Sequence, residues 1–279
     1  MHVWMIDIDA QDLATALLLV QSHAVPVPAA DTDTDTSEHQ FITDIIANVA
    51  NQEEMRSAAQ RVYQHESTAS VHFLMNNAAI QLGGNALKTS MDTFNQVLGV
   101  NTLGPIHGCQ AFVPFMQEKG QPGIIVNTGS KQGITAPPGN LSYNVSKAAL
   151  KTWTEGLEHE LMVQRTDNNG KLYAALLIPG WVNTSIQLKE HQMRAALNGS
   201  EFEEDNVFFH EEKPAEGAWM PMQVIDYMME GLEEGRFYIV CPDNDVDRET
   251  DNLRMTWAMV SLHLCFLQWR RSWKETNLC

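Results

Sequence analysis

Cations are scarce in this chain: 18 Lys and Arg stand against 35 Asp and Glu among 279 residues, a formal net charge of −17. Nucleic acid and anionic bilayers are held by clustered cations, so neither is expected as a partner. The deficit leaves a dinucleotide open, because backbone N–H groups can hold its phosphates. Cysteine is sparse too. Cys109, Cys241, Cys265 and Cys279 are scattered and form no Cys-x-x-Cys pair. That argues against a disulfide framework or a zinc site, so no metal is expected and a reducing, cytoplasmic location is. No basic stretch with a long apolar run opens the sequence, so no secretory leader is expected. The most apolar late stretch, Trp257 to Trp269, is interrupted by His263 and falls short of the ~20 residues a membrane span needs.

With 44% hydrophobic residues the chain has the material for a sizeable core. Short apolar runs alternate with helix-period segments. Val3 to Ile6 reads as a short buried strand that ends at Asp7, and Ala10 to Gln21 as a helix with Leu13, Leu17 and Leu18 on one face. Val71 to Met75, Gly123 to Val126, Leu172 to Ile178 and Arg236 to Val240 read as further strands. Glu53 to Gln64, Ser142 to Val163, Ser185 to Leu197 and Pro214 to Glu233 read as helices, and Met91 to Gln117 supplies helical material around Asn101 in which Pro105 and Pro114 mark a break or later turns. Strands alternating with helices predict an α/β fold, a doubly wound, Rossmann-like parallel sheet covered on both faces. One domain is expected over residues 1–258. It carries an acidic mobile loop at 31–40, and an atypical, basic and tryptophan-rich tail follows at 259–279.

In such a sheet, binding and catalytic groups gather at the carboxyl ends of the strands. Asn76, Ser130 and Pro179 fall at these ends. Tyr143 and Lys147 stand four apart in Ser-Tyr-Asn-Val-Ser-Lys, one helical turn, with Ser130 upstream at the close of an apolar run. A phenol, an ammonium and a hydroxyl so placed could handle one proton together. The plain alternatives are an exposed Tyr–Lys pair and a strand-end turn serine.

The pair belongs to an ordered series: Asn76-Asn-Ala-Ala79, Asn101-Thr-Leu-Gly104, Asn127-Thr-Gly-Ser130, Tyr143…Lys147 and Pro179-Gly-Trp-Val-Asn-Thr184. The series resembles the short-chain dehydrogenase/reductase family in its single-domain form. The resemblance implies interconversion of an alcohol and a ketone or aldehyde with a nicotinamide dinucleotide. In that reading Tyr143 is the acid/base, Lys147 its electrostatic partner and a ligand of the nicotinamide ribose, Ser130 the substrate clamp, and Asn101 the member that orders a relay water. A cation beside the phenol lowers its pKa. Pro179, Gly180, Val182 and Thr184 match the segment that holds the carboxamide. Asn77, Ala78 and Ala79 match the stretch beside the adenosine, with Ala79 where the family usually has Gly. Asn48-Val49 stands where the family often has Asp-Val beside the adenine. Asp7 would accept from the adenosine ribose hydroxyls, which favours NAD while leaving NADP possible, since a carboxylate repels a 2′-phosphate.

The family also pairs through the helices that hold the counterparts of Asn101 and Tyr143, which implies a homodimer or homotetramer. Residues 185–213 correspond to its substrate lid. Phe202, Phe208 and Phe209 there suggest an apolar alcohol or ketone. One element of the pattern is missing: no first strand with a T-G-x-x-x-G-x-G turn precedes Asp7, so the fold is expected to be N-terminally incomplete. The favoured expectation is an incomplete product of an oxidoreductase gene; the alternative is a degenerate chain that no longer binds the dinucleotide normally, or a non-catalytic dinucleotide sensor or scaffold on the same fold.

Overall fold

A computed structural model describes residues 2–23, 42–66, 68–166, 170–199 and 216–256, apart from 244, 245, 248, 252 and 255. The expected acidic loop, the distal part of the lid with its three phenylalanines, and the tail at 259–279 lie outside the described residues. The chain forms two compact units and passes between them several times. One comprises Met1–Ala79, Leu98–Asn127 and Trp153–Ala174; the other comprises Ile80–Val97, Thr128–Thr152 and Ala175–Cys279.

In the first unit, β1 (Val3–Asp7) lies parallel to β2 (Ile42–Ile46), with Val3 opposite Ile42 and Asp7 opposite Ile46. The sequence pattern had not marked β2, because Asp44 interrupts an otherwise β-branched run. Nor is β1 the buried strand expected. All five of its residues are half-buried, in a sheet that has two strands among the described residues. Helix α1 (Ala10–Ser22) starts at Asp9, whose carboxylate accepts the N–H groups of Gln11 and Asp12. Asn51 caps α2 (Gln52–Gln64) in the same way, and Glu53 and Glu54 occupy its positive first turn. Met55, Ala58, Ala59 and Val62 recur at helical spacing, so one face of α2 packs into a core with Ile45, Ala111 and Phe112.

The second sheet has the order β3-β4-β5-β6. In the first unit β3 (Phe73–Asn76) pairs in parallel with β4 (Gly123–Thr128), and the Gly123 N–H reaches the Lys171 carbonyl at the start of β5 (Leu172–Ile178). In the second unit the Gly129 N–H donates to Leu177 O, and Leu176–Ile178 of β5 pairs with β6 (Tyr238–Val240). Most of β4 and β5 is buried, as a parallel sheet covered on both faces requires.

Helix α3 (Met91–Leu98) runs through a π turn, Gly99–Leu103, into α4 (Gly104–Lys119). Pro114, expected with Pro105 to mark a break or later turns, marks neither. Pro105 sits in the first turn, where no N–H is needed, and α4 continues through Pro114 to a left-handed Gly120. Further helices are α5 (Gln132–Thr135), α6 (Leu141–Thr166), α7 (Ile186–Asn198) and α8 (Pro221–Glu233). No helix among the described residues is long and apolar enough to cross a membrane.

A buried polar chain ties the first unit across its sheet. Register places Asn76 opposite Asn127, and the Asn76 amide donates to Asn127 Oδ1 at 2.8 Å and to Cys109 Sγ at 3.3 Å. Asn127 in turn donates to Thr154 Oγ1 at 3.0 Å. Gly108 makes room for this, since a Cβ there would come within 2.3 Å of Asn76 Oδ1. Burial pushes the Cys109 thiol up to about 12. Replacing Asn127, which is fully buried, by Ala strands the Asn76 donor and is expected to cost about 1–3 kcal/mol. A urea midpoint equal to that of the wild type would contradict this.

Candidate active site

The second unit assembles its chemistry at the carboxyl end of β4. Two backbone hydrogen bonds bracket Ser130: Gly129 N–H to Leu177 O at 2.7 Å, and Lys131 N–H to Pro179 O at 3.1 Å. The chain then closes on itself. Ser130 O accepts from the Gly133 N–H, and Ser130 Oγ from the Gln132 N–H at 3.2 Å. This turn leads straight into α5.

Helix α6 begins next to Gly84, which pairs with Gly139 and Leu141 through backbone bonds. Its first turn is fixed by Asn144, whose amide donates to Pro137 O at 2.6 Å, and by Ser146, whose hydroxyl donates to Tyr143 O at 2.7 Å. Tyr143 and Lys147 therefore point from one rigid face and are 9% and 2% exposed. Gly133 lets α5 approach this face, since a Cβ there would lie 2.7 Å from the Lys147 carbonyl carbon. The expected trio is thus brought together: the Ser130 hydroxyl hydrogen-bonds the Tyr143 phenol, and Lys147 Nζ lies 5.7 Å from the Tyr143 ring centre.

Electrostatics here are set by burial. Lys147 Nζ donates to the Thr128 carbonyl at 2.7 Å, and desolvation lowers its pKa to about 7. The Tyr143 phenol is raised by desolvation, with the Ser130 hydrogen bond pulling the other way. The ammonium was expected to lower it. In this structure loss of water dominates, so Tyr143 holds its proton. A Ser–Tyr pair of this kind can grip a carbonyl or hydroxyl oxygen and deliver or accept a proton there.

Pro179 and Gly180 follow β5 in the same unit, and Pro179 O meets the Ser130 turn as described. Val182 forms a parallel bridge with Trp219, and Asn183 N–H donates to Trp219 O at 2.8 Å. Thr184, half-buried, stands just before α7.

The other expected residues belong to the first unit. Asp7 closes β1 and accepts from the Asp9 N–H at 2.9 Å. Asn48 Oδ1 accepts from Ala50 N–H, so its carbonyl oxygen serves the turn into α2. Val49 O meets His107 Nδ1 at 2.9 Å, and a Cβ on Gly104 would lie 2.9 Å from Val49 Cγ2. Asn77, Ala78 and Ala79 follow β3, the first two exposed. Asn101 is fully buried in the π turn, an irregularity common at functional sites.

Sequence reasoning passed over Lys131. Its ammonium lies 2.8 Å from Asp243 Oδ2 and 2.5 Å from Asp251 Oδ2. No local spacing signals a contact 112 residues apart.

The buried Lys147 also tests whether a dinucleotide suits this site. An ammonium has three donors, and its acceptor among the described residues is one carbonyl. The donor set therefore fits a polyhydroxyl group such as a ribose.

The family model described as short chain dehydrogenase matches residues 10–195. The SadH protein of Mycobacterium tuberculosis is 29% identical over 180 residues, 64% of this chain and 57% of that protein. Galactitol 2-dehydrogenase (L-tagatose-forming) of Cereibacter sphaeroides is 35% identical over 147 residues, 52% of this chain and 54% of that one. The chain thus spans little more than half the length of these two relatives. Among solved structures, a short chain dehydrogenase/reductase from Burkholderia phymatum in complex with NAD aligns with a TM-score of 0.67 at 25% identity, covering 86% of this chain and 79% of that one. A short-chain dehydrogenase from Sphingobium yanoikuyae in complex with NADPH aligns at 0.63 and 15% identity, over 100% and 86% of the two chains.

The depressed Lys147 pKa carries a stability signature. Between about 7, its folded value, and 10.5, the ordinary value, the unfolded chain binds more protons than the folded one, so stability rises with pH. The contribution is present above the ordinary value and lost as pH falls through the folded one. Lys147→Met removes the titrating group. The difference in thermal midpoint, wild type minus variant, should therefore shift in favour of the wild type from pH 7 to pH 9.5. A difference that stays flat would argue against a desolvated ammonium.

Proposed function

The chain belongs to the short-chain dehydrogenase family, and from that premise we propose that it interconverts an alcohol and a ketone or aldehyde with NAD(H). The observation that carries the reading is the Ser130–Tyr143–Lys147 cluster, buried and hydrogen-bonded at the end of β4. The fold relationship to proteins solved with NAD and NADPH supports a nicotinamide dinucleotide. A relative named for a polyol supports a secondary alcohol as the substrate class.

Bound, the nicotinamide ring would give or take the hydride. Everything else falls to this chain's own side chains. Ser130 holds the substrate oxygen against the Tyr143 hydroxyl. In reduction Tyr143 donates its proton as negative charge grows on that oxygen; in oxidation it takes the alcohol proton back. Burial keeps Tyr143 protonated, which suits the reducing direction. Lys147, with donors to spare, would hold ribose hydroxyls, and charging it on ligand binding would draw the phenol pKa back down. In the first unit Asn101 would order a relay water. Asn48, Val49, Asn77, Ala78 and Ala79 would line the adenosine. Asp7 would accept from its ribose and disfavour a 2′-phosphate, so NAD is the preferred partner. Pro179, Gly180, Val182 and Thr184 would hold the carboxamide.

The test pairs binding with turnover. NADH should bind and accept energy transfer from tryptophan, and a screen of secondary alcohols with NAD⁺ should give reduced cofactor. Tyr143→Phe should leave NADH binding within a factor of a few while lowering kcat by about 10²–10⁴-fold, the usual worth of a positioned acid/base. Binding with undiminished turnover in Tyr143→Phe would remove the tyrosine from the mechanism. Tighter binding of NADPH than of NADH would remove the role given to Asp7.

A further inference from the structure

Lys131 directly follows the serine assigned to the substrate, and its side chain turns away to meet two carboxylates from beyond β6. The three side chains are nearly dry: Lys131 and Asp243 are 12% exposed and Asp251 is 4%. One ammonium against two carboxylates leaves a formal excess of one negative charge, so this is an expensive arrangement for mere stability. Its location shows what it connects. The Lys131 N–H donates to Pro179 O, the Cys241 N–H to Ile178 O, and the Asp243 N–H to Val246 O. Gly180 sits hard against the Asp243 carboxylate, where a Cβ would come 1.9 Å from Oδ1. Asp243 is therefore wedged between the Lys131 ammonium and the Gly180 backbone.

We propose that Lys131 is a positioning residue whose ammonium, clamped by Asp243 and Asp251, locks the Ser130 turn to the Pro179–Gly180 segment. The clamp thereby sets the distance between the substrate oxygen and the carboxamide subsite. This rests on the dehydrogenase reading given above. Backbone pairing alone fixes where β4, β5 and β6 end. It leaves free the rotation of the turns beyond them, and a sub-ångström error there is felt in rate. The clamp removes that rotation by joining the turn after β4 to the segment after β6 through side chains, with the turn after β5 trapped between them.

The experiment compares Lys131→Met, Lys131→Arg and the charge-balanced Lys131→Met/Asp243→Asn/Asp251→Asn chain. The first readout needs no turnover: hydrogen exchange of the Gly129 and Cys241 amides should accelerate about tenfold or more in both methionine variants, as a local opening would produce. Exchange at Val126 and Asn127, in the first unit, should stay unchanged. The second readout is activity. Both methionine variants should lose about 100-fold in kcat/KM, even though removing the repelling carboxylates returns the triple variant to the wild-type melting temperature. Lys131→Arg should recover most of both.

Unchanged amide exchange overturns the clamp. Accelerated exchange with wild-type kcat/KM overturns its role in positioning. Activity that simply follows melting temperature across the series assigns Lys131 to stability alone and also overturns it. A wild-type chain that neither binds NADH nor oxidises any alcohol overturns the dehydrogenase reading, and the positioning role with it, whereas the exchange arm still separates an intact clamp from an absent one.

Discussion

Parallel pairing of β4 with β5 is the constraint from which the described chemistry follows. Parallel neighbours cannot be joined by a tight turn, so the chain must cross over through a helix before the next strand can start. Here that crossover is α5 and α6, and it begins where β4 ends. Residues in the first turns of α6 are delivered back to the end of β4, which is why the Lys147 ammonium finds the Thr128 carbonyl. The same pairing aligns the end of β4 with that of β5, so Gly129 and Lys131 reach Leu177 and Pro179 across one ladder. A hydroxyl from the end of β4 then meets a phenol and an ammonium from the first turns of α6, without any of them sitting on a long loop.

Convergence has an electrostatic cost that the sequence spacing does not reveal. Lys147 is buried by the close approach of α5, and that approach depends on Gly133 having no side chain. The result is a cation held near its neutral form and a phenol held in its protonated form. Both are states that a nearby negative or hydroxylated ligand would alter, so the site's resting condition is one of stored desolvation. The Lys131 cluster behaves differently: it satisfies its cation internally.

How much of this was legible in the residues depended on range. The strands β1, β3, β4 and β5 and the long helices followed from local periodicity, and the Ser130–Tyr143–Lys147 cluster from their order. Strand β2 was not legible, since Asp44 breaks the apolar pattern of a short strand and the supporting contacts come from β1 and α1. Nor was the continuity of α4 through Pro114. A proline costs one hydrogen bond and some crowding in a helix interior. Packing of Ala111, Phe112 and Val113 on the buried face outweighs that here. The direction of the Tyr143 shift was missed because four-residue spacing reports proximity to a cation and says nothing of water. Lys131, Asp243 and Asp251 could not be found at all, because only the folded sheet sets them side by side.

The two described thiols carry a practical corollary. Cys109 and Cys241 are buried, and each is raised to about 12 by desolvation. At neutral pH only about one molecule in 10⁵ then carries either as the reactive thiolate. Alkylating reagents and mild peroxide should pass both by while the chain stays folded. A single cysteine introduced on an exposed surface would therefore take a maleimide dye with no labelling at these two positions.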